Sequence, residues 1–280
     1  MKRLLYIIIG VMAFITANAQ ATTDSLTICR LLAESRQQKA DACLPLFFAK
    51  KFIGCPYVAH TLEGNATEQL VVNTRQLDCT TLVETVTALT LCAQRRQYAY
   101  ADYKRALTGL RYRGGKIDGY PSRLHYFTEW ITDNTQAGVV SEIQQPNPPF
   151  TAVQTVNINY MSQHAQSYQS LREHPEYVAE ISKMECQVSG SKFRYIPKKL
   201  AGKYKLLRGV VRDGDIIAIT CNKAGLDIAH LGFAVWKNGR LHMLNASQLH
   251  KKVVLEPMTL YRYLQKHPSH TGIRIIRINK

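Results

Sequence analysis

Apolar positions in the first two thirds of the chain recur at helical spacing. The predicted helices cover residues 22–52, 80–97 and 160–184, and a further one begins at Pro121-Ser122. In the second of these, Leu82, Val86 and Leu89 share one face. Thr81 followed three residues later by Glu84 fits a capping box at its start. This part of the chain is therefore predicted to be mainly helical.

The last third changes to the pattern typical of β-strands. The predicted strands cover residues 216–220, 230–236, 240–246, 253–255 and 273–278. Asn238-Gly239 separates two of them and predicts a tight hairpin, because both residue types tolerate positive φ. Helices followed by an antiparallel sheet indicate an α+β fold, with the helices packed on one face of the sheet.

The first segment of the chain has the features of a secretory signal peptide. Lys2 and Arg3 precede an apolar run over residues 4–17, and Ala17-Asn18-Ala19 supplies a small-x-small cleavage pattern. The run is shorter than the ~20 apolar residues that a membrane span requires. We therefore expect a signal peptide at residues 1–19 and one exported domain at residues 20–280, with no transmembrane segment.

Composition and charge narrow the choice of partner. The chain has 280 residues, of which 46% are hydrophobic and 20% charged, an ordinary globular balance. Its net charge of +16 predicts an anionic partner. Export argues against nucleic acid, which leaves the acidic cell wall and anionic lipid surfaces. Residues 192–212 contain eight basic side chains and no acidic one. These side chains form either a solvated surface or a docking site for an acidic substrate.

Cysteines and histidines show no metal-binding spacing. The seven cysteines are Cys29, Cys43, Cys55, Cys79, Cys92, Cys186 and Cys221. Export permits disulfides, but the odd number predicts at least one free or intermolecular thiol. No CxxC or HExxH pattern occurs, and His267 and His270 have no nearby carboxylate or cysteine. We expect neither a metal nor another cofactor.

Cys79 and His230 are candidates for a nucleophile and its base. Cys79 stands at the start of a predicted helix, where free backbone N–H groups and the helix dipole favour a thiolate of lowered pKa. His230 stands at the start of a predicted strand, and a histidine can serve as the base that a thiol nucleophile requires. The alternatives are a small buried cysteine and a surface histidine.

The hairpin register suggests a third member of this group. A two-residue turn at Asn238-Gly239 pairs Lys237 with Arg240, which sets Gly232 opposite Asn245. Asn245 is then a diagonal neighbour of His230 on the same face of the sheet, and its amide can reach the imidazole across Gly232. Ser247, directly opposite His230, is the competing partner.

Several ordered segments resemble known enzyme families. Gly54-x-Pro56-Tyr57, Asp78-Cys79-Thr80-Thr81, Gly214-Asp215 and His230-x-Gly232 resemble NlpC-type, papain-like cysteine amidohydrolases. More narrowly, LDCTTLVET (77–85), YPSRLHYFTEWI (120–131) and GLDIAHLGFAV (225–235) resemble the bacterial N-acetylmuramoyl-L-alanine amidase-like family, formerly a domain of unknown function. The resemblance implies a papain-like core with family-specific insertions.

The resemblance also implies an activity and its residues. The reaction would be hydrolysis of the amide between muramic acid and L-alanine in muropeptides, including those ending in an anhydro sugar. Cys79 matches the nucleophile and His230 the base. The third position is usually polar and often histidine, and Asn245 is its best match here. The protein would act in the periplasm, as a monomer.

Four further residues are expected to bind substrate. Tyr57 matches a tyrosine lining the cleft, and Asp78 directly precedes the nucleophile. Arg123 and His125 belong to the second family segment and lie off the apolar stripe of the predicted helix, which consists of Leu124, Phe127 and Ile131. A solvated helix face is the alternative for this pair.

Two other functions use the same features. An NlpC-type endopeptidase would keep the nucleophile and base but cut the stem peptide after D-glutamate. A catalytically inactive wall-binding protein would use the basic surface alone. The presence of cysteine, histidine and asparagine together favours an enzyme.

Overall fold

The computed structural model describes residues 22–280, so the predicted signal peptide lies outside the described residues. The helices are α1 (22–35), α2 (Leu44–Lys51), α3 (Cys79–Gln94), α4 (Tyr100–Arg111), α5 (Phe127–Gln136), α6 (Tyr160–Gln163), α7 (Gln169–Glu173), α8 (Glu176–Val188), α9 (Tyr204–Arg208) and α10 (Leu260–Gln265). Short 3₁₀ turns cover Arg113–Gly115, Tyr120–Ser122, Ala165–Ser167 and Lys198–Leu200. In this described part of the chain, no helix combines the length and the hydrophobicity needed to cross a membrane.

One antiparallel sheet forms the centre of the fold. Its strands are β1 (Val140–Ile143), β2 (Ala152–Thr155), β3 (Lys192–Pro197), β4 (Ile216–Cys221), β5 (Ile228–Lys237), β6 (Arg240–Ser247), β7 (Lys252–Leu255) and β8 (His270–Ile278). The strand order is β2-β3-β8-β4-β5-β6-β7, and β1 pairs additionally with β8. The predicted α+β class is confirmed, with the sheet drawn mainly from the last third of the chain.

Helices cover both faces of the sheet, which corrects the expectation of a single covered face. Alternate residues of β4 point to opposite sides, so that Ile216 joins a core with α2, α3 and α5, whereas Ile217 joins a second core with α9 and α10. The larger core contains the fully buried residues of α3, among them Leu82, Val86 and Leu89. The α3 helix is thereby fixed against β5 and β6.

Two of the predicted helices are interrupted, and a proline stands where each of them resumes as α2 or α8. The stretch 22–52 is interrupted after residue 35, and α2 restarts with Pro45 in its first turn. Proline lacks an N–H donor and clashes with the preceding turn, so it is tolerated there but not in a helix interior. The stretch 160–184 is likewise divided into α6, α7 and α8, with Pro175 directly before α8.

The helix predicted to begin at Pro121-Ser122 is also wrong. Only one 3₁₀ turn forms there, and Arg123 returns to an extended conformation. The Leu124 N–H donates to the Arg111 carbonyl at 2.9 Å, which holds this segment against the end of α4. The helix α5 therefore begins later, at Phe127, and Arg123 and His125 lie in the segment before it.

The five predicted strands are all present, whereas β1, β2 and β3 were not predicted. The β5–β6 ladder runs from Lys237 paired with Arg240 to Phe233 paired with Leu244. This is the register predicted from the two-residue turn. Both turn residues, Asn238 and Gly239, have positive φ. The hairpin therefore places β6 beside the strand that carries His230.

Candidate active site

The first helical residue of α3 is Cys79, and Asp78 is the residue that fixes it there. Asp78 Oδ1 accepts from the Thr81 N–H at 2.8 Å, while Thr81 Oγ1 accepts from the Asp78 N–H at 2.9 Å. This reciprocal pair is the capping box of the helix. The predicted box, with Thr81 as cap and Glu84 as partner, is therefore wrong by three residues, because Asp78 already caps the helix.

Burial determines the protonation state of the Cys79 thiol. It raises the pKa of Cys79 to about 12, and the neighbouring charge of Asp78 adds to this rise. Hydrogen bonds from the Leu231 backbone and the Thr80 side chain act in the opposite direction but are weaker. The expected lowering of the pKa by the helix start is thus outweighed by the loss of solvation. The resting group is a neutral thiol.

A β-bulge precedes the position of His230 on β5. His230 pairs with Ile219 of β4, whereas the next ladder pair joins Thr220 to Ile228, so that Ala229 is the extra residue. Such a bulge bends a strand and redirects its side chains. Burial lowers the pKa of His230, while its hydrogen bond to Asn245 acts in the opposite direction. The imidazole is therefore neutral at pH 7.

The Asn245 side chain contacts the His230 ring directly. Asn245 is fully buried, and its Oδ1 lies 3.0 Å from His230 Nε2. Ser247, the competing partner, instead accepts from the His250 N–H at 3.1 Å. A Cβ on Gly232 would come within 2.5 Å of Met243 Cγ, so only glycine allows the two strands to approach this closely.

The hydrogen bond fixes which imidazole nitrogen is basic. An amide oxygen can only accept, so the Nε2–H of His230 donates to Asn245 Oδ1 and the lone pair lies on Nδ1. The Tyr263 ring is roughly parallel to the imidazole, with 6.3 Å between ring centroids. His230 thus presents one basic nitrogen in a defined orientation.

A cavity of about 210 Å³ brings the candidate groups together. Cys79 and His230 both line it, as do His125 and the carboxylate residues Glu63 and Asp227. A larger cavity of about 1120 Å³ lies between residues 65–72 and α4, but its lining contains neither a cysteine nor a histidine. The smaller cavity therefore contains both a thiol and an imidazole, the two groups that nucleophilic catalysis by cysteine requires.

The wall of this cavity includes a histidine that remains neutral. His125 Nε2 donates to the Tyr120 carbonyl at 2.9 Å, and the two rings stack with centroids 4.5 Å apart. Burial lowers the pKa of His125 to about 3, and the positive charge of Arg123 adds to this. His125 Nδ1 is consequently a hydrogen-bond acceptor in the wall of the cavity that Cys79 also lines.

Tyr57 is held near Cys79 by backbone pairing. Its N–H donates to the Lys251 carbonyl at 2.9 Å, and Tyr57 forms a parallel bridge with Leu77, two residues before Cys79. Burial raises the pKa of Tyr57 to about 12, with further contributions from Cys79 and Asp78. The phenol is therefore neutral.

The charged groups of Asp78 and Arg123 both form hydrogen bonds with other residues of the protein. The Asp78 carboxylate caps α3, as described above. The Arg123 guanidinium is buried and donates to Glu63 Oε1 at 2.6 Å and to Glu68 Oε1 and Oε2 at 3.0 and 2.6 Å. Arg123 also lines an adjacent cavity rather than that of Cys79. Both charged groups are thus engaged within the protein itself, and substrate contacts by Asp78 and Arg123 stay a prediction.

Two carboxylate residues that line the cavity are not among the residues predicted to form the site. Glu63 is held by Arg123, and Asp227 Oδ2 accepts from the Thr128 N–H at 2.7 Å in the first turn of α5. Glu63 belongs to an irregular loop that has no periodic signal. Asp227 lies within the segment 225–235, which resembles the family and contains His230. This position is the only feature of the sequence that points to Asp227 as a residue of the site.

Comparison with known proteins agrees with these features. The model of the N-acetylmuramoyl-L-alanine amidase-like family, also named AmiA-like, matches residues 47–273. The comparison with curated proteins found no significant match. A crystal structure of an N-acetylmuramoyl-L-alanine amidase from Bacteroides uniformis is 40% identical, with a TM-score of 0.79, and the alignment covers 85% of this chain and 98% of that one.

Two other solved structures have the same fold. A Bacteroides fragilis protein proposed to be a xylanase is 40% identical, with a TM-score of 0.77 and coverage of 82% and 99%. A protein from Legionella pneumophila is 23% identical, with a TM-score of 0.72 and coverage of 94% and 97%, which shows a common fold alone. Because the family model spans most of the described residues, the chain belongs to the N-acetylmuramoyl-L-alanine amidase-like family.

Proposed function

We propose that the protein is a cell-wall amidase that hydrolyses the amide between the lactyl group of muramic acid and L-alanine in peptidoglycan fragments. The observation that carries this proposal is the 3.0 Å contact of His230 Nε2 with Asn245 Oδ1, beside a cavity shared with Cys79. The name of the Bacteroides uniformis relative supports the choice of bond. The predicted signal peptide supports a periplasmic location.

The first half of the reaction forms a thioester. Cys79 Sγ attacks the lactyl carbonyl carbon while His230 Nδ1 takes the thiol proton. Because both groups are neutral at rest, proton transfer accompanies the attack and no thiolate is stored beforehand. His230 then gives this proton to the nitrogen of L-alanine as the carbon–nitrogen bond breaks, and the peptide leaves as an amine.

The second half restores the enzyme. A water molecule gives a proton to His230 Nδ1 and attacks the thioester carbonyl, and the carbon–sulfur bond breaks. The proton returns to Cys79, and the sugar leaves with a lactyl carboxylic acid, which loses its own proton to solvent. At both stages, backbone N–H groups at the start of α3 are placed to stabilise the negative oxygen, since the first turn of a helix has free donors.

Substrate contacts follow from the cavity wall. His125 Nδ1 accepts a hydrogen bond from a substrate N–H or hydroxyl. Tyr57 is not part of this wall, and a contact of its phenol with substrate near Cys79 stays a prediction. Arg123 acts indirectly, because it fixes Glu63 at the cavity. Asp78 likewise acts through the helix start that presents Cys79.

A glycosidase mechanism fits the cavity less well. Glycoside hydrolysis generally requires an acid and a nucleophile or base that are both carboxyl groups. The two carboxylates here are each engaged, Glu63 with the Arg123 guanidinium and Asp227 with the Thr128 N–H. The thiol and imidazole, in contrast, are the groups left to react.

Mass spectrometry of products from defined muropeptides tests the proposal. The wild-type protein should release an intact stem peptide and a free sugar acid, and Cys79→Ala should release neither. Cys92→Ala, which replaces the other cysteine of α3, is the control and should retain activity. A dipeptide left on the sugar would instead identify an endopeptidase that cuts after D-glutamate. Failure of Cys79 to react with a substrate-like thiol probe under reducing conditions would favour a non-enzymatic wall-binding protein.

A further inference from the structure

The net charge of the described chain comes entirely from its C-terminal segment. Residues 22–191 contain 16 basic and 16 acidic side chains, whereas residues 192–280 contain 18 basic and four acidic ones. Of these four acids, Asp215, Asp227 and Glu256 are buried, and only Asp213 is exposed. The surface formed by this segment is consequently almost free of negative charge.

The positive charges of this surface are not neutralised by the protein itself. None of the eight basic side chains of residues 192–212 forms an ion pair with any residue of 22–280. The same holds, within this range, for the exposed Arg262 of α10 and for the exposed Lys266 directly after it. Natural surfaces usually intersperse both signs, so a large one-sign patch points to an anionic partner.

Many of these cations gather on one side of the molecule. Three short elements pack over the core that contains Ile217, on one face of the sheet: the turn Lys198–Leu200, α9 and α10. We refer to the outer surface of residues 198–208 and 260–266, which include these elements, as the basic face. A Cβ on Gly202 would come within 3.2 Å of the Tyr261 ring, which shows how closely α10 approaches this turn. The cations of the basic face are Lys198, Lys199, Lys203, Lys205, Arg208, Arg262 and Lys266.

Apolar side chains are exposed among the cations of this surface. Leu206 of α9 is 38% exposed and Tyr261 of α10 is 37% exposed. Neighbouring Arg208 covers the Trp236 ring at 4.1 Å from its centroid. A soluble polyanion would require only charge, whereas cations combined with exposed leucine and an aromatic ring are typical of proteins that rest in the interface of a bilayer.

We propose that the basic face docks the protein on an anionic phospholipid surface. The ammonium and guanidinium groups bind headgroup phosphates, and Leu206 and Tyr261 enter the boundary between headgroups and acyl chains. Docking is reversible, because no element of the basic face inserts deeply. This attachment goes beyond amide hydrolysis and does not depend on it.

Co-sedimentation of residues 20–280 with lipid vesicles tests the docking. The protein should bind vesicles that contain phosphatidylglycerol, should not bind vesicles of phosphatidylcholine alone, and should be released by salt, which screens exposed charges. The variant Lys199→Gln/Lys203→Gln/Lys205→Gln should bind on the order of 100-fold more weakly, since each cation near such a surface contributes severalfold to affinity. Leu206→Gln should weaken binding roughly fivefold.

Matched controls separate docking from net charge. Lys39→Gln/Lys116→Gln/Lys183→Gln removes three exposed lysines outside the basic face and should bind like the wild type. Ile117→Gln, which is 40% exposed in the wild type, should likewise have no effect. An equal loss in both triple variants, equal binding to neutral vesicles, or binding to purified sacculi but not to phosphatidylglycerol would each overturn the proposal. Hydrolysis of soluble muropeptides should be the same in all these variants, which confirms that they fold.

Discussion

Replacing Asn245 by alanine tests the central contact of the site. Asn245 is fully buried, its Oδ1 accepts from His230 Nε2, and its Nδ2 has no hydrogen-bond partner within the described residues. The substitution leaves the imidazole N–H without its acceptor, so that the ring and its tautomer are no longer fixed. We therefore expect turnover to fall while the fold remains intact.

The structure sets the expected size of both effects. A buried donor left unsatisfied costs about 1–3 kcal/mol, and loss of the oriented base should lower kcat by about one to three orders of magnitude, or roughly 1.4–4 kcal/mol. The free energy of unfolding should change by only about 1 kcal/mol, because the substitution also removes the unpartnered Nδ2 group of Asn245.

The pH profile distinguishes a positioning effect from damage to the fold. In the proposed mechanism His230 acts as a base only when neutral, so activity should be lost as the pH falls through its pKa. Burial places this pKa below the usual histidine value of about 6.5, and the bond to Asn245 raises it. In Asn245→Ala, the acidic limb of kcat/KM should therefore move to still lower pH while the plateau falls.

The assay is kcat/KM for a defined muropeptide as a function of pH, with Ser247→Ala as the matched control. Ser247 is also buried on β6, but its hydroxyl binds the His250 N–H instead of His230. Its removal should leave turnover and the acidic limb close to those of the wild type. Near wild-type turnover of Asn245→Ala, together with loss of activity in Ser247→Ala, would refute the assignment and give the role to Ser247.

Three further predictions concern metal dependence and stability. A chelator should not change kcat, because the thiol–imidazole reaction needs no metal ion; a loss that zinc restores would contradict the mechanism. Arg111→Met should lower the free energy of unfolding in urea by about 3–5 kcal/mol, because it leaves the buried carboxylate of Glu84 without its partner. Arg105→Ala, at an exposed ion pair, should lower it by less than about 1 kcal/mol. Equal losses of stability in the two variants would contradict this prediction. Burial lowers the pKa of His270 to about 4, so protonation of His270 should lower the free energy of unfolding by as much as about 3 kcal/mol between pH 6.5 and 4, in addition to the contributions of His125 and His230. His270→Gln should remove this part of the slope, and parallel pH profiles of the wild type and the variant would exclude a contribution from His270.

The strands were easier to predict than the helix boundaries. Alternation and the Asn238-Gly239 turn depend on neighbouring residues, and both the β5–β6 hairpin and its register follow from them. The start of α5 depends instead on the hydrogen bond from the Leu124 N–H to the Arg111 carbonyl, which lies at the end of another helix, α4. Pro45 was a local signal for the restart at α2 that the apolar spacing concealed.

The approach of Asn245 to His230 could be derived from the sequence for the same reason. Hairpin register and side-chain alternation fix relative positions without knowledge of the rest of the fold. The protonation state of Cys79 could not be derived in this way. Its pKa depends on how much solvent the surrounding cavity excludes, and here desolvation overcomes the favourable helix start.

Whether a charged side chain is free to bind a ligand is equally a property of the folded chain. Arg123 and Lys203 are both cations in the sequence, and family likeness pointed to Arg123 as the ligand contact. In the fold, the irregular loop supplies Glu63 and Glu68, which occupy the guanidinium of Arg123. No acid approaches Lys203 in the same way within the described residues. Arg123 therefore stabilises the wall of the cavity, whereas the lysines of the basic face, which pair with no acid of the described residues, stay available to bind an external anion.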